Sequence, residues 1–290
     1  MMNTYEKMNA AASCQNLTEF GDKLIDFAES VLQEKHPEKF LSLFYRLLTE
    51  NNLVDFMFHG FTSKNFEPIY ICEGKSAVGK LINFTIPDMG KPIETLHKLI
   101  VFGQHIKNIY TQPAGKLITK EKVNEIINYL DRNYNFSNKV FKDKKAVIGI
   151  IPYSHKEVSS HCLAQFTERE IGLHIFIYHT IADSEFDVQP EYVFFHELGH
   201  TLYVRYTGGL DIQEEMKKIF KHYFPKGLEI YSSEQQSDVI ADILAMGMMH
   251  GSPYENLDPF EPIHQEDKQV FKQIFEEMIK GVKRNADYIR

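Results

Sequence analysis

The chain has 290 residues, of which 43% are hydrophobic and 25% are charged, and its formal net charge at pH 7 is −8. This composition is typical of a globular protein and argues against a disordered or collagen-like chain. Because the 40 acidic residues outnumber the 32 basic ones, the chain lacks the basic surplus typical of nucleic-acid binding proteins, so we expect no nucleic-acid partner.

The cysteines and the apolar segments indicate the compartment. Cys14, Cys72 and Cys162 are odd in number and widely spaced, so they indicate neither a disulfide framework nor a paired-cysteine metal motif, and we expect free thiols in a reducing environment. The first residues contain no apolar segment typical of a secretory signal, and no run of about 18 apolar residues occurs. We therefore expect a soluble, cytoplasmic protein without a membrane partner, with export without a signal peptide as the alternative.

The first part of the chain is predicted to be mainly helical. Apolar spacing predicts four helices, near 24–32, 40–48, 92–110 and 119–134. Around residues 67–86 the period changes, which predicts a short hairpin. The polar segment 133–138 marks a predicted domain boundary, so that residues 1–138 form an N-terminal region without an assigned role.

Residues 139–290 are predicted to combine a small mixed sheet with several helices. Lys145–Tyr153 and Ile171–His179 are rich in β-branched and apolar residues and are predicted as buried strands. A helix is expected to begin at Pro190 and to end at Gly208–Gly209, because proline favours a first helical turn and glycine follows a last one. Further helices are predicted near 211–224, 232–249 and 265–283. Strands followed by helices, without regular alternation, indicate an α+β fold.

The predicted helix from Pro190 contains the pattern HExxH. With about 3.6 residues per turn, His196 and His200 lie on one face, one turn apart, close enough for both imidazoles to hold one ion. Glu197 is rotated by about 100° from His196, so its carboxylate can flank the metal and take a proton from metal-bound water. Imidazole nitrogen suits Zn²⁺, and a catalytic zinc site needs three protein ligands.

The alternative interpretation of this helix is an ordinary polar surface without metal. Against it, Phe194, Phe195 and Leu198 are bulky and apolar, so much of the helix is expected to be buried, and buried polar side chains need partners. Gly199 in the middle of a helix costs about 1 kcal/mol relative to alanine, which indicates tight packing at that point. We therefore favour a metal site with one zinc ion per chain.

A third ligand is expected in the helix predicted near 232–249. Glu234, Asp238 and Asp242 repeat every four residues along one face of this helix. Such carboxylates repel one another by roughly a few tenths of a kcal/mol per pair, unless a cation or a histidine offsets the repulsion. A solvated acidic stripe is the alternative, although the apolar residues at 239–244 favour carboxylates that face inward.

HExxH followed by Glu-x-x-x-Asp resembles the gluzincin branch of zinc metallopeptidases. The resemblance implies that His196, His200 and Glu234 bind Zn²⁺. It also implies that Glu197 is the general base and that Asp238 orients a ligating histidine. The segment that begins at Glu234 is similar to the third-ligand helix of ImmA/IrrE-type and HtpX-like peptidases as well.

A second alignment places the third ligand one turn later. The spacing of Tyr231, Asp238, Ala241 and Asp242 resembles that in the catalytic domain of anthrax lethal factor and the related Pro-Pro endopeptidases. This resemblance implies that Asp238 is the ligand, that Asp242 orients a histidine and that Tyr231 stabilises the oxyanion. Because aspartate stands where that family has glutamate, we rank this alignment second. Either resemblance covers roughly residues 145–285 and implies nothing about the preceding region.

The strand Ile171–Tyr178 precedes the HExxH helix, as the substrate-binding edge strand does in zincins. An edge strand can bind an extended peptide through its backbone groups. The alternative interpretation is an ordinary core strand, which the pattern does not exclude. The sequence thus predicts a zincin-like zinc metallopeptidase that hydrolyses peptide bonds by a zinc-activated water, with Glu197 as general base and a peptide or protein as substrate. The alternative is a zincin-fold regulator or binding protein that holds metal without turnover. Cleavage specificity and oligomeric state do not follow from the sequence.

Overall fold

The protein is an assembly of helices around a small sheet. The computed structural model describes residues 2–14, 17–54, 69–75, 77, 80–81, 90–109, 116–141, 146–151, 163–169, 172–178, 188–206, 233–257 and 265–281. The helices are α1 (Thr4–Ser13), α2 (Leu17–Val31), α3 (Pro37–Val54), α4 (Pro92–Ile109), α5 (Lys120–Tyr134), α6 (Phe136–Val140), α7 (Pro190–Arg205), α8 (Ser233–Met249) and α9 (Gln265–Gly281). The strands are β1 (Tyr70–Glu73), β2 (Ala146–Ile151), β3 (Ala164–Arg169) and β4 (Gly172–Tyr178).

The four strands form one mixed sheet in the order β1-β2-β4-β3. β1 and β4 each pair with β2 in parallel, whereas β3 pairs with β4 in an antiparallel register in which Ala164 is opposite Ile177 and Arg169 is opposite Gly172. β4 is therefore an interior strand, and β3 lies at one edge of the described sheet.

Helices cover both faces of the sheet. Ile148 of β2 and Ile175 of β4 belong to a hydrophobic cluster with α5 to α9, whereas Val147 and Phe176 belong to a second cluster with α1 to α4. Every residue of β2 and β4 is consequently buried, which explains why their sequences are almost entirely apolar, with His174 as a buried polar exception. The fold is α+β, mainly helical, with a small mixed sheet. Among the described helices, none combines the length and the apolar character that crossing a membrane requires.

Most of the predicted elements that fall on described residues are confirmed. The predicted helices correspond to α2, α3, α4, α5, α7, α8 and α9, and the two predicted strands correspond to β2 and β4. β3 was missed because four of the six residues in its sequence, AQFTER, are polar or charged, so that it has neither a long apolar run nor a sustained alternation. The helix expected to end at Gly208–Gly209 ends a few residues earlier, because Tyr206 already has extended backbone and follows the last helical residue, Arg205. The helix predicted near 211–224 lies outside the described residues.

The hairpin predicted at residues 67–86 needs correction. β1 pairs in parallel with the distant strand β2, and the described residues that follow it, Lys75, Ala77, Lys80 and Leu81, have helical backbone. Parallel strands cannot be joined by a tight turn, so the change of period indicated a strand but not its partner. Residues 82–89 lie outside the described part of the chain.

The polar segment at 133–138 forms a corner between α5 and α6. Asn135 has a left-handed backbone with φ of 56° and ends α5. Ser137 donates hydrogen bonds from its backbone nitrogen and its Oγ to the Asp131 carboxylate, at 2.6 and 2.8 Å, so that α6 begins at once with Phe136 buried. The boundary predicted near residue 138 also separates β1 from its partner β2, so the two regions share one sheet.

Candidate metal centre

The helices that carry the candidate residues, α7 and α8, pack closely against each other. A Cβ atom added at Gly199 would lie 2.5 Å from the backbone oxygen of Ala241 and 3.0 Å from its Cα. Such distances are below ordinary van der Waals contact, so a side chain at this position would push the helices apart. The tight packing expected at Gly199 is confirmed, and it brings the polar side chains of α8 up to the histidines of α7.

His196 and His200 face each other across one turn of α7. Their Nε2 atoms are 3.0 Å apart, and the ring planes are inclined by 82°. Both side chains are partly buried, since the helix lies against the sheet and α8. A neutral imidazole has one N–H group, so at least one lone pair is directed into the space between the two rings.

Asp238 of α8 completes a cluster of three potential ligands. Its Oδ1 lies 3.3 Å from Nε2 of His200, and one ligand atom from each of His196, His200 and Asp238 lies within 4.8 Å of the other two. The Asp238 side chain is 54% exposed, so the cluster is open to solvent on one side. Two imidazole nitrogens and one carboxylate oxygen with an open side are the donor set of a catalytic zinc site.

Asp242, one turn after Asp238, holds the other ring nitrogen of His196. The Asp242 Oδ1 lies 2.6 Å from Nδ1 of His196, and the same oxygen accepts a 2.8 Å hydrogen bond from the Tyr192 hydroxyl. A carboxylate at Nδ1 favours the tautomer with the proton on Nδ1 and leaves Nε2 as the ligand atom. Burial opposes the charged form of His196, but the hydrogen bond and the negative charge of Asp242 outweigh it and raise the pKa of this histidine.

Ser237 lies beside His200 as Asp242 lies beside His196. Its Oγ lies 3.2 Å from Nδ1 of His200. Each imidazole therefore has its Nδ1 against a polar side chain of α8 and its Nε2 towards the other imidazole. Neither Ser237 nor Tyr192 was predicted to orient a ligand. The available signal was the position of Tyr192 four residues before His196, but an aromatic residue on an apolar helix is typical of a core.

Glu197 is buried beside the cluster. Its side chain is 5% exposed, and its Oε2 has no hydrogen-bond partner in the described structure. Burial raises the pKa of Glu197, and the positive charges of the neighbouring histidines only partly oppose this shift. A buried carboxylate oxygen without a partner is costly and is common where a residue acts on a substrate or a water molecule.

Two of the predicted site residues cannot be compared with this geometry. Glu234 belongs to the first turn of α8, but its side chain lies outside the described residues, and Tyr231 lies outside them entirely. The roles of Glu234 as third ligand and of Tyr231 as oxyanion donor stay predictions.

The strand expected to bind substrate is not at an edge. β4, which corresponds to the predicted strand Ile171–Tyr178, pairs with β2 on one side and with β3 on the other. The expectation was wrong because a continuous apolar sequence marks a strand buried on both faces, which is typical of the interior of a sheet. Next to β4, β3 forms one edge of the described sheet, and its residue Glu168 lies 3.6 Å from Arg205 of α7.

Comparisons with known proteins found no relative of this chain. No protein-family model matches it, and neither the curated proteins nor the solved structures gave a significant match. The chemistry of this site therefore has to be inferred from the residues of α7 and α8 and from their geometry.

Proposed function

We propose that this protein is a zincin-like zinc metallopeptidase in which His196, His200 and Asp238 hold the metal. The observation that carries the proposal is the convergence of ligand atoms from these three side chains within 4.8 Å. Zinc fits this donor set, because imidazole nitrogen is a preferred zinc ligand, whereas Mg²⁺ and Ca²⁺ prefer sites built from oxygen. The buried, unpartnered oxygen of Glu197 beside the cluster agrees with a hydrolytic site.

The contacts of His200 favour Asp238 over Glu234 as the third ligand. A residue that only orients a ligating histidine contacts the ring nitrogen remote from the metal. At His200 that remote nitrogen, Nδ1, is already beside Ser237, and Asp238 instead approaches Nε2. At His196, the residue that contacts the remote nitrogen Nδ1 is Asp242. The alignment with the lethal factor and Pro-Pro endopeptidase domain is therefore the one we now prefer.

The residues of this chain divide the chemistry among them. A bound Zn²⁺ would supply a Lewis acid that polarises the scissile carbonyl and makes a water molecule more acidic. Glu197 accepts the proton of the attacking water and returns it to the leaving amine. Burial raises the pKa of Glu197, which makes its carboxylate a stronger base. Asp242 and Ser237 hold the histidine rings in their ligating orientation.

The substrate class that we propose is an extended peptide or protein segment. Within the described sheet β3 is an edge strand that pairs with β4, and edge strands can bind an extended peptide by β-augmentation. The ion pair between Glu168 and Arg205 links this strand to the C-terminal end of α7. An extended substrate along β3 would thus lie next to the helix that carries the metal ligands.

We also propose a reducing, intracellular location. Cys14 and Cys72 are both buried thiols that form no disulfide among the described residues. Burial raises the pKa of the Cys72 thiol to about 12, which keeps this side chain in its unreactive protonated form.

The proposal is tested by metal content and by peptide cleavage. Inductively coupled plasma mass spectrometry on protein purified without added metal should give about one zinc per chain, and the His200→Ala variant should lose it. A peptide library analysed by mass spectrometry should then show cleavage that a chelator abolishes. If the protein neither contains zinc nor takes it up on titration, the proposal is wrong. Bound zinc without cleavage would support the metal-binding regulator instead.

A further inference from the structure

We propose that Tyr192 is a positioning residue of the metal centre, which acts by holding the Asp242 carboxylate against His196. The inference depends on the proposed function, because it concerns the affinity of the same site for zinc. It adds a residue that lies two hydrogen bonds away from the metal and that the HExxH pattern does not include.

Two hydrogen-bond donors of α7 contact the same carboxylate oxygen on α8. Tyr192 and His196 are four residues apart on α7 and so lie on the same face. The Tyr192 hydroxyl is 2.8 Å and the His196 Nδ1 is 2.6 Å from the same Oδ1 of Asp242. With two donors on this oxygen, the carboxylate cannot rotate without breaking both hydrogen bonds.

Without the tyrosine, Asp242 has another arrangement within reach. Its side chain is 24% exposed, so water is available to the carboxylate. An aspartate that is held by His196 alone can turn towards this water and exchange one hydrogen bond for another at little cost. The hydroxyl of Tyr192 opposes that rotation, because it is itself buried and prefers to keep a partner.

The core by itself does not require a hydroxyl at this position. Tyr192 is 4% exposed and packs within the large hydrophobic cluster. Phe194 and Phe195, two and three positions further along α7, are fully buried phenylalanines in the same cluster. A phenylalanine at position 192 would therefore pack equally well. The hydrogen bond to Asp242 accounts for the hydroxyl group that distinguishes tyrosine from phenylalanine.

Removal of the Tyr192 hydroxyl should lower metal affinity through its effect on the orientation of the His196 ring. A mobile Asp242 would hold Nδ1 less well, so that Nε2 would spend less time in the ligating orientation. Loss of the group that directly orients a ligating histidine lowers metal affinity about 10- to 100-fold. Tyr192 contacts His196 only through Asp242. We therefore expect Tyr192→Phe to lower zinc affinity by about 10-fold, the lower end of this range.

The test is a zinc affinity measurement on the full chain by competition with a chromogenic chelator. Tyr192→Phe should bind zinc about 10-fold more weakly than the wild type. The matched control is Tyr129→Phe, which removes a hydroxyl from a half-buried tyrosine packed against the same cluster, on α5. This control should leave zinc affinity unchanged. The melting temperature of the metal-free variants serves as a second readout, because a purely structural role of Tyr192 would lower it without weakening zinc binding.

A double-mutant cycle shows whether Tyr192 acts through Asp242. In the Asp242→Ala background, the further change Tyr192→Phe should cost almost no zinc affinity. The same loss in both backgrounds would overturn the inference, as would equal zinc affinity of Tyr192→Phe and the wild type. A wild-type protein that binds no zinc would instead refute the proposed function, so the two failures are distinguishable.

Discussion

Gly199 of α7 lies against the backbone of Ala241 on α8, at a distance that leaves no room for a side chain. This contact sets the separation of the two helices, and therefore the distance at which Asp238 and Asp242 of α8 meet His200 and His196 of α7. The glycine between the two histidines thus has a geometric role in the candidate metal centre.

Substitution of Gly199 by alanine should therefore affect both stability and the site. Overpacking against backbone is expected to cost about 1–3 kcal/mol, and the gain of about 1 kcal/mol in helix propensity offsets only part of it. Denaturant unfolding of the metal-free protein should show this loss, and zinc affinity should fall as well.

Gly103→Ala provides the matched control for this prediction. Gly103 of α4 crosses Gly21 of α2 at a similar distance, on the other side of the sheet. This variant should be destabilised but should keep its zinc affinity. If Gly199→Ala bound zinc as tightly as the wild type, the helix crossing would not determine the ligand geometry.

The identity of the third ligand can be decided by a pair of variants on α8. Asp238→Ala is expected to lower zinc affinity more than about 100-fold, beyond the effect of losing an orienting partner, because a direct ligand is removed. Glu234→Ala should have a small effect, less than about 10-fold. Isothermal titration with zinc or chelator competition measures both. The opposite order would restore the gluzincin alignment, with Glu234 as the ligand.

Glu197→Gln separates metal binding from chemistry. The amide retains the size of the side chain but cannot accept the proton of the attacking water, so hydrolysis should fall by at least about 10²- to 10⁴-fold. Zinc content should stay at about one per chain, because Glu197 is not a ligand in the proposal. Cleavage of the best library peptide and metal analysis on the same sample provide the two readouts. Substantial residual cleavage would contradict the role assigned to Glu197.

A pH-dependent contribution to stability is expected at the end of α8, away from the metal centre. Burial disfavours the charged form of Glu255, but hydrogen bonds from the Gly251 backbone and His250 together outweigh it and lower the pKa of this carboxyl group below 4.5. Since the folded-state pKa is depressed, the stabilisation is present above about pH 4.5 and is lost as the pH falls through the folded-state value.

Glu255→Gln tests this contribution. The variant should be less stable than the wild type at neutral pH, by no more than about 1 kcal/mol because the Glu255 side chain is partly exposed to solvent. The difference should disappear in acid, as measured by urea unfolding between about pH 3 and pH 7. A difference that stayed constant over this range would show that the charge of Glu255 is not its cause.

Local spacing was enough to predict much of the molecule. Helical periodicity identified most of the described helices, and continuous apolar runs identified β2 and β4, because both signals arise within a few residues of chain. The pairing of His196 with His200 follows in the same way from one turn of helix, and the buried surroundings of Glu197 follow from the apolar residues beside it.

Contacts between distant segments decided the rest. β1 was expected in a hairpin but pairs with a strand more than seventy residues away, and β3, not the apolar strand β4, lies at the edge of the described sheet. The sequence shows that acidic residues repeat every four positions along α8. This spacing does not tell which of the carboxylates is the metal ligand, because it is the same for each of them. Only the crossing at Gly199 brings Asp238 to Nε2 of His200 and sets Asp242 against Nδ1 of His196, because ligand geometry depends on how two helices pack and not on either helix alone.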